Sequence, residues 1–401
     1  MPKNPKTTLR PLTIVLTGGG SGGHITPLLP LARALKRHDS LCHIVYIGLK
    51  GDKIDDLQPQ FAAFDQSYFI ASGKFRRYHG ESFLVRLLDV KTFLLNVRDV
   101  LKVMVGLGSA YKILRQLKPD LLFSKGGFTV VPVGLAAKLL GIPVVTHDSD
   151  ATAGLANRLI GRSAKLHITG MPEHFYTYPK EKTKYLGIPL DERIQPVTTA
   201  MQKQFKRAIG VDEDFLVLLV GGAGHGTREI NQKILAIAPQ LLEAIPNLHI
   251  IHIAGKTHQA AVKQKYDTLL SELSESELVK VTVLGFTPNF YQYVGAADLT
   301  ITRAGATTLA ELALAGKAAI VIPAPFLAGG HQLKNAEELT TRGAAEVLPN
   351  DVDAQILFKV AVDLLKNRQR RLDLAHKISS LARPQAANKI SEILLKLAAR
   401  K

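Results

Sequence analysis

The chain has 401 residues, 46% hydrophobic and 21% charged. This composition excludes wholesale disorder, and the length favours two domains because one hydrophobic core stops growing at about 250–300 residues. The chain has 51 Lys and Arg against 34 Asp and Glu, a formal net charge of +17, so nucleic acid, a phosphorylated substrate or acidic lipid is the expected partner. Cys42 is the only cysteine, which excludes internal disulfides and zinc sites built on cysteine pairs.

In the first half, short apolar runs alternate with segments of helical spacing, which indicates βαβ units and a parallel sheet. The first apolar run is too short for a signal peptide, and the longest, Ala318–Gly330, is well short of the ~20 residues of a membrane-spanning helix. We therefore expect a soluble or membrane-peripheral protein of a reducing cytoplasm. The predicted elements are strand Thr13–Leu16, helix Pro27–Leu35, strand His43–Ile47, strand Leu121–Phe123, helix Val131–Leu140 and strand Val144–Val145.

The second half repeats this plan. We predict an α/β protein of two Rossmann-like, doubly wound domains, residues 1–190 and 191–401, separated near Gly187-Ile188-Pro189, with the last helix crossing back onto the first domain. The predicted elements are strand Phe215–Val220, a helix ending at Leu242, strands His249–Ile253, Val281–Leu284 and Leu299–Ile301, and amphipathic helices Ala354–Lys366 and Ala386–Leu397.

Each half contains a glycine-rich turn between a strand and a helix, Gly18–Gly23 and Gly221–Gly226. Such turns present backbone N–H groups at the positive end of a helix dipole, where phosphates bind. Neither turn has the Gly-Lys-Ser/Thr of a P-loop, which disfavours NTP hydrolysis. Two alternatives remain: a tight turn without a ligand, and a dinucleotide site with Asp39 on a ribose, although Asp39 lies in a polar turn rather than at the end of the second strand.

His24 directly follows the first glycine turn. It is expected to face the crevice at the carboxyl ends of the strands, where ligands of such sheets bind. Its ordinary pKa of ~6.5 suits a general base at neutral pH. The competing interpretation is a histidine that only caps or packs at the start of a helix.

Several motifs in order make the chain resemble the MurG family, glycosyltransferase family 28. Gly18–His24 resembles the family's GGG-[TS]-GGH signature, and Arg303–Glu311 resembles its donor-site signature. The remaining matches are Ser72–Tyr78 to the acceptor-side loop, Gly126–Phe128 to the GGY turn, Gly141–His147 and Ala153–Arg158 to the segments around the HEQN motif, and His331-Gln332 with Asn335-Ala336 to HQ-x-x-NA.

The resemblance implies a GT-B fold with the active site in a cleft between the domains. It implies inverting transfer of N-acetylglucosamine (GlcNAc) from UDP-GlcNAc to the MurNAc 4-hydroxyl of undecaprenyl-linked lipid I, which makes lipid II in peptidoglycan synthesis. Neither a metal nor a cofactor is implied. The implied location is the cytoplasmic face of the cell membrane, as a peripheral protein and a partner in a cell-wall synthesis complex.

The resemblance also assigns residues. His24 would be the catalytic base, the amides at Gly305 would meet the diphosphate, and Glu311 would accept hydrogen bonds from the ribose hydroxyls. The implied acceptor-binding residues are Gly19, Gly20, Lys74, Arg76, Gly126, Gly127 and Phe128. The implied UDP-GlcNAc-binding residues are Ser21, Gly22, Gly23, Asp150, Gly224, Phe286, Arg303, Ala304, Gly305, Ala306, Thr307, Glu311, His331 and Gln332.

The chain departs from the family pattern at three places. HEQN is replaced by His147–Asp150, so an acceptor-only carboxylate stands at Asp150 where the family has an amide. The serine of the second glycine turn is missing around Gly224, where backbone amides or His225 would take over its phosphate contact. The linker has Asp191 and Arg193 instead of the GNPVR run, which puts a donor-side cation in doubt.

Residues 74–118 carry ten Lys or Arg against Glu81, Asp89 and Asp99, interleaved with large apolar residues such as Phe93 and Leu94. This pattern suits the surface of an anionic bilayer, although ordinary core packing accounts for many of the leucines. The alternatives for function are a related transferase with another lipid acceptor such as a diacylglycerol, a UDP-GlcNAc 2-epimerase, and a degenerate sugar-nucleotide-binding protein. No motif supports nucleic-acid binding.

Overall fold

The structure, a computed structural model, describes residues 10–20, 22–52, 61–74, 90–221, 227–270 and 280–400, with the side chains of 90, 91 and 328 left out. Its strands form two parallel sheets. Both sheets lie between helices, as alternation of strand and helix requires. The predicted α/β class with two Rossmann-like domains is confirmed.

The first sheet has seven strands in the order β3-β2-β1-β4-β5-β6-β7. The strands are β1 Thr13–Thr17, β2 His43–Leu49, β3 Gln66–Ile70, β4 Leu121–Ser124, β5 Val144–Asp148, β6 Leu166–Thr169 and β7 Thr183–Tyr185. The helices described in this region are α1 Gly22–Ile25, α2 Leu28–His38, α3 Val90–Leu117, α4 Val130–Leu139 and α5 Leu155–Ile160.

The second sheet has six strands in the order β10-β9-β8-β11-β12-β13. The strands are β8 Leu216–Gly221, β9 Leu248–Ile253, β10 Val281–Leu284, β11 Leu299–Thr302, β12 Ala319–Val321 and β13 Glu346–Val347. The helices described from the linker onward are α6 Thr199–Ala208, α7 Arg228–Ala244, α8 Gln259–Leu269, α9 Phe290–Ala296, α10 Ala306–Ala315, α11 His331–Thr341, α12 Ala354–Lys366, α13 Arg368–Ser379 and α14 Ala386–Ala398.

Alternate residues of β1 enter the two cores of the first sheet. Ile14 and Leu16 join the cluster under α2, while Val15 joins the cluster under α3 and α4. A parallel strand buried on both faces needs apolar residues at every position, which is why Ile14–Leu16 is a continuous apolar run. The central strands of the second sheet show the same division, with Leu218 and Leu219 in different clusters.

The last helix, α14, packs against the first sheet. Ile390 and Leu394 belong to the cluster that contains Ile14 and Leu28. The segment between β7 and α6 includes residues 190 and 191, where the sequence places the domain boundary. Asp39, the candidate for a dinucleotide site, caps the end of α2 and accepts a hydrogen bond from the Leu41 amide (3.0 Å), so it lies at the amino end of β2, away from the carboxyl edge of the sheet.

Candidate active site

Two glycine turns follow the neighbouring strands β1 and β4, and they enclose the side chain of His24. Gly126 and Gly127 have φ angles of 96° and 84°, which only glycine adopts without strain. A Cβ on Gly127 would lie 2.2 Å from the carbonyl oxygen of Gly19 and 3.0 Å from Cδ2 of His24. The missing side chains therefore create the space that the imidazole fills.

His24 lies on the short helix α1 at the carboxyl edge of the first sheet. Its Nδ1 is buried and has no hydrogen-bond partner among the residues that the structure describes. Burial, followed by the ammonium of Lys125, lowers the pKa of His24 to about 4. The imidazole is therefore neutral at neutral pH, the state in which it can accept a proton.

Lys125 lies directly after β4 and is almost fully buried, with 2% of its surface exposed. Its Nζ donates a 2.6 Å hydrogen bond to Oγ of Ser149 in the turn after β5. Burial lowers the pKa of Lys125 to about 8, and the carboxylates of Asp150 and Asp148 oppose that shift. The ammonium of Lys125 thus lies between the turn after β4 and the turn after β5, at the carboxyl edge of the first sheet.

Asp148, at the end of β5, holds the following turn in shape. Its Oδ1 accepts hydrogen bonds from the Gly154 amide (2.9 Å) and from Nδ2 of Asn157 (3.0 Å), and its Oδ2 accepts one from the Tyr178 hydroxyl (2.8 Å). The preceding His147 bonds through Nε2 to the carbonyl oxygen of Gly187 (3.0 Å). The residues that replace HEQN are therefore anchored within the first domain and deliver Asp150 to the cleft.

Asn335, on α11, joins the two domains. Its Nδ2 donates to Oδ1 of Asp150 (2.9 Å) and to the carbonyl oxygen of Ala304 (2.8 Å), and its Oδ1 accepts from the Ala151 amide (2.7 Å). Asn335 is fully buried. The carboxylate of Asp150 accepts from an amide in this contact, which is compatible with a residue that cannot donate.

Replacing Asn335 by alanine should lower the free energy of unfolding by about 2–3 kcal/mol, because buried amide and carbonyl groups lose their partners. It should also lower kcat/KM through looser contact between the domains. Asn231→Ala is the matched control, since buried Asn231 bonds only within the second domain, to Ala254 and His252. Urea denaturation and kinetics test both variants; equal kinetic defects in the two would contradict an interdomain role.

The turn after β11 forms the opposite wall of the cleft. Arg303 is 1% exposed. Its Nη1 donates to the Ile322 carbonyl (3.0 Å) and to Oδ1 of Asn350 (2.6 Å), and its Nη2 donates to Oε2 of Glu229 (3.2 Å). The guanidinium thus holds the turn in place through contacts on the protein side, and the backbone of the turn faces the cleft.

Gly305 precedes α10, and no side chain caps the helix that begins at Ala306. The first amides of a helix are unpaired donors at a positive dipole end, so this terminus can hold a diphosphate. Ala304 is fully buried and Ala306 nearly so, while Thr307, in the first turn of the helix, is part-buried. These residues therefore offer backbone rather than long side chains to a ligand.

Glu311, later on α10, is part-buried. Burial, and then the carboxylate of Asp191 in the linker, raises the pKa of Glu311 to about 8. Asp191 itself is held in a two-point ion pair by Arg193 (2.9 and 2.8 Å), whose guanidinium lies 4.3 Å from the ring centre of Tyr291. The linker cation is therefore present but bound to its own acidic neighbour.

Three other predicted donor residues lie on the second domain. His331 begins α11 and is close enough to His24 to lower its pKa further. Gln332 is 2% exposed, and its Oε1 accepts from the Ala324 amide (2.9 Å). Phe286 follows β10, is 37% exposed, and has Nζ of Lys256 at 5.4 Å from its ring centre.

Some of the predicted acceptor-side residues contact one another. Gly20, with φ of 82°, leaves space for the ring of Phe128, which a Cβ would approach to 2.4 Å. Ser72 donates to the carbonyl oxygen of Phe128 (2.9 Å), so the described part of the predicted acceptor-side loop, 72–74, begins at the same turn. Gly22, Gly23 and Lys74 are exposed. Ser21, Arg76 and Gly224 lie outside the described residues.

Sequence reasoning did not single out Lys125 or Asp52 as site residues, and it named Asn335 only within the match to HQ-x-x-NA. Asp52 accepts a hydrogen bond from the Gly20 amide (3.0 Å). Lys125 could have been found from its position, because a lysine directly after a buried strand lies at the ligand-binding edge of the sheet. No local signal indicates the partners of Asn335, which are 31 and about 184 residues away in the chain.

Comparison with known proteins agrees with this architecture. Residues 14–168 match the glycosyltransferase family 28 N-terminal domain, and residues 216–390 match the glycosyltransferase family 28 C-terminal domain. A UDP-N-acetylglucosamine--N-acetylmuramyl-(pentapeptide) pyrophosphoryl-undecaprenol N-acetylglucosamine transferase of Moorella thermoacetica is 30% identical over 96% of this chain and 99% of its own. A protein of the same name from Bacillus cytotoxicus is 29% identical over the same shares.

Two solved structures show the same fold. MurG of Acinetobacter baumannii aligns with a TM-score of 0.69 at 24% identity, over 96% of this chain and all of its own. The UDP-GlcNAc 2-epimerase of Neisseria meningitidis, bound to UDP-GlcNAc, aligns with a TM-score of 0.64 at 15% identity over the same shares. The GT-B architecture predicted from the sequence is confirmed.

Proposed function

Because the chain belongs to glycosyltransferase family 28, we propose that it transfers GlcNAc from UDP-GlcNAc to the MurNAc 4-hydroxyl of lipid I and so makes lipid II. The single observation that carries the mechanism is the position of His24, a neutral imidazole at the carboxyl edge of the first sheet, close enough to His331 on the second domain for the two side chains to interact electrostatically.

In this reaction the acceptor oxygen attacks the anomeric carbon of GlcNAc as the bond from that carbon to the UDP oxygen breaks, and the configuration inverts. His24 takes the proton of the attacking hydroxyl, which increases its nucleophilicity in the transition state. The backbone amides at the start of α10 receive the negative charge that develops on the leaving diphosphate.

The donor would lie mainly on the second domain. The carboxylate of Glu311 would accept hydrogen bonds from the two ribose hydroxyls, His331 and Gln332 would contact the sugar, and Phe286 would lie against the uracil ring. Arg303 would act by holding the turn, since its guanidinium already bonds to Ile322 and Asn350. The acceptor would lie against the first-domain glycine turns.

A membrane surface is the second partner that we propose. The buried side of α3 is formed by residues such as Asp99, Val103, Ala110 and Leu114. Its opposite side is also largely apolar, whereas the outer side of a surface helix is normally polar. The exposed residues there are Phe93, Leu94, Val97, Val100, Leu101, Met104 and Val105, 43–64% exposed.

Exposed cations adjoin this apolar surface of α3, among them Arg98, Lys102 and Arg115. Apolar insertion with basic attraction is the combination that binds anionic bilayers, and a membrane-bound acceptor requires such access. None of the helices among the described residues is both long and apolar enough to cross a membrane. We propose peripheral attachment to the cytoplasmic face, where other cell-wall enzymes would be neighbours.

The double variant Leu101→Glu/Met104→Glu should bind phosphatidylglycerol vesicles at least tenfold more weakly, since each inserted side chain contributes about 1.5–3 kcal/mol. Co-sedimentation measures the bound fraction. Ile356→Glu/Leu372→Glu is the control, because these residues of α12 and α13 are similarly exposed, at 52% and 47%. Equal loss in both double variants would argue against α3 as the membrane surface.

The decisive assay combines purified protein, UDP-GlcNAc and a lipid I analogue. Formation of the lipid II analogue is the expected result. No product there, with transfer to a diacylglycerol instead, would identify the related transferase activity. Conversion of UDP-GlcNAc alone, followed by NMR, would identify an epimerase, and binding by calorimetry without turnover would identify a degenerate binding protein.

A further inference from the structure

We infer that Lys125 is a positioning residue for the proton transfer at His24: its buried ammonium, tied to Ser149, links the turn after β4 to the turn after β5 beside the imidazole and gives that pocket a positive charge. This inference rests on the proposed function of His24. Neither the motifs nor the resemblance assigns a role to Lys125.

Burying the ammonium of Lys125 has a cost in free energy. An ammonium that is 98% buried loses most of its hydration, and proteins keep such a charge only where it is compensated. Among the described residues, Nζ donates its hydrogen bond to the neutral hydroxyl of Ser149. The compensating charges are the carboxylates of Asp148 and Asp150, which favour the protonated form of Lys125.

Lys125 lies close to the proposed base, His24. Lys125 lies between β4 and the Gly126–Gly127 turn, whose backbone approaches the imidazole directly: a Cβ on Gly126 would lie 3.6 Å from both Cε1 and Nδ1 of His24. The Cβ of Lys125 would be 3.2 Å from a Cβ on Gly18. The lysine therefore fills the floor beneath both glycine turns, with its charged end directed to the turn after β5.

The charged groups around His24 have opposing effects on its pKa. Among the described residues, three charged or titratable groups act on it from different elements: Lys125 from the turn after β4, Asp150 from the turn after β5, and His331 from the start of α11. Lys125 and Asp150 act in opposite directions on the pKa of His24. Burial, and then the cation, keep the base free of a proton before the acceptor arrives, and Asp150 stabilises the imidazolium once the acceptor's proton has been taken up.

The same pair explains a departure from the family pattern. An extra carboxylate at Asp150, close to an anionic donor, is unfavourable by itself. Because the ammonium of Lys125 lies nearby, the negative charge of the Asp150 carboxylate is accompanied by a positive charge. The carboxylate also bonds to Nδ2 of Asn335, so the charged pair lies where the two domains meet.

The test follows the titration of His24 in the full-length protein by NMR with ¹⁵N-labelled histidine, the signal being assigned with His24→Asn. In Lys125→Met, we expect the pKa of His24 to rise by about one unit, the size of effect that one nearby charge produces. Lys125→Arg should leave it low. Adding Asp150→Asn to Lys125→Met should bring it back down, because Asp150 favours the imidazolium.

Lys317→Met is the matched control, since Lys317 is another buried lysine, bonded to the carbonyl oxygens of Gly295 and Ala297 in the second domain. It should lose stability without moving the His24 signal. If Lys125→Met does not fold, Ser149→Ala cuts the anchor, and a weaker rise in the pKa of His24 is expected.

Kinetics separates this inference from the proposed function. With UDP-GlcNAc saturating and the lipid I analogue varied, the acid limb of kcat/KM should move to higher pH in Lys125→Met by the same amount as the NMR titration. An unchanged His24 titration in folded Lys125→Met would overturn the inference. Full activity of His24→Ala would instead refute the role of His24 as the base, whatever the titration shows.

Discussion

Replacement of His24 by alanine should lower kcat by about 10²- to 10⁴-fold, the usual contribution of a general base, while the Kd for UDP stays nearly unchanged. The physical reason is position: the imidazole lies between the first-domain turns at Gly19 and Gly127, whereas the groups proposed to hold UDP lie on α10 and after β10. Single-turnover kinetics with a lipid I analogue and calorimetry with UDP measure the two effects separately.

The pH dependence of the wild-type enzyme gives a second measure of the same group. A base must be unprotonated, so activity should be lost as pH falls through the pKa of His24, which burial and Lys125 place at about 4. With donor saturating, kcat/KM for the acceptor should therefore stay level from neutral pH down to about 5. An acid limb near the ordinary histidine value would contradict a base whose pKa is lowered by burial.

His252→Ala is the matched control for the loss of a buried imidazole. His252 is fully buried and bonds to the hydroxyl of Tyr266 (3.0 Å) and to Oδ1 of Asn231 (3.0 Å). This variant should unfold more easily and yet retain turnover when assayed well below its melting temperature. A turnover loss as large as that of His24→Ala would indicate that both losses come from the fold.

The affinity for UDP should fall about tenfold between pH 9 and pH 7, because of Glu311. Its pKa is raised to about 8 in the free protein, so about a tenth of it is ionised at pH 7. Both oxygens of an ionised carboxylate accept hydrogen bonds from the ribose hydroxyls, whereas one oxygen of the carboxylic acid carries a proton. UDP therefore binds preferentially to the protein with ionised Glu311. The affinity therefore rises with pH up to about 8 and then levels off.

UDP binding should accordingly release protons at pH 7, which calorimetry in two buffers of different ionisation enthalpy detects. UDP itself adds little to this dependence, since a terminal phosphate titrates near pH 6. Glu311→Gln should bind more weakly with little pH dependence. Asp191→Asn should move the inflection to lower pH, because one carboxylate no longer opposes the ionisation of Glu311. The same pH dependence in wild type and Glu311→Gln would refute the ribose assignment.

The sequence alone determined the fold class and the order of the elements. Residues such as Ile14–Leu16 and Leu218–Val220 are apolar at successive positions, because a central parallel strand is covered on both faces. The sequence also indicated a site at His24, because His24 follows a glycine turn at the end of a strand and ligands of these folds bind at the strand ends. Spaced motifs in order made the family resemblance specific.

Only the tertiary structure decided which charges meet. The ammonium of Lys125 on Ser149, the contact of Asn335 with Asp150, and the effect of Asp191 on Glu311 join segments far apart in the chain. Local pattern carries no information on such pairings, because they depend on how distant segments pack against each other within and between the domains. The sequence therefore predicted His24 as a base, and the packing of two turns around it decided that this imidazole is neutral and lies beside a buried cation.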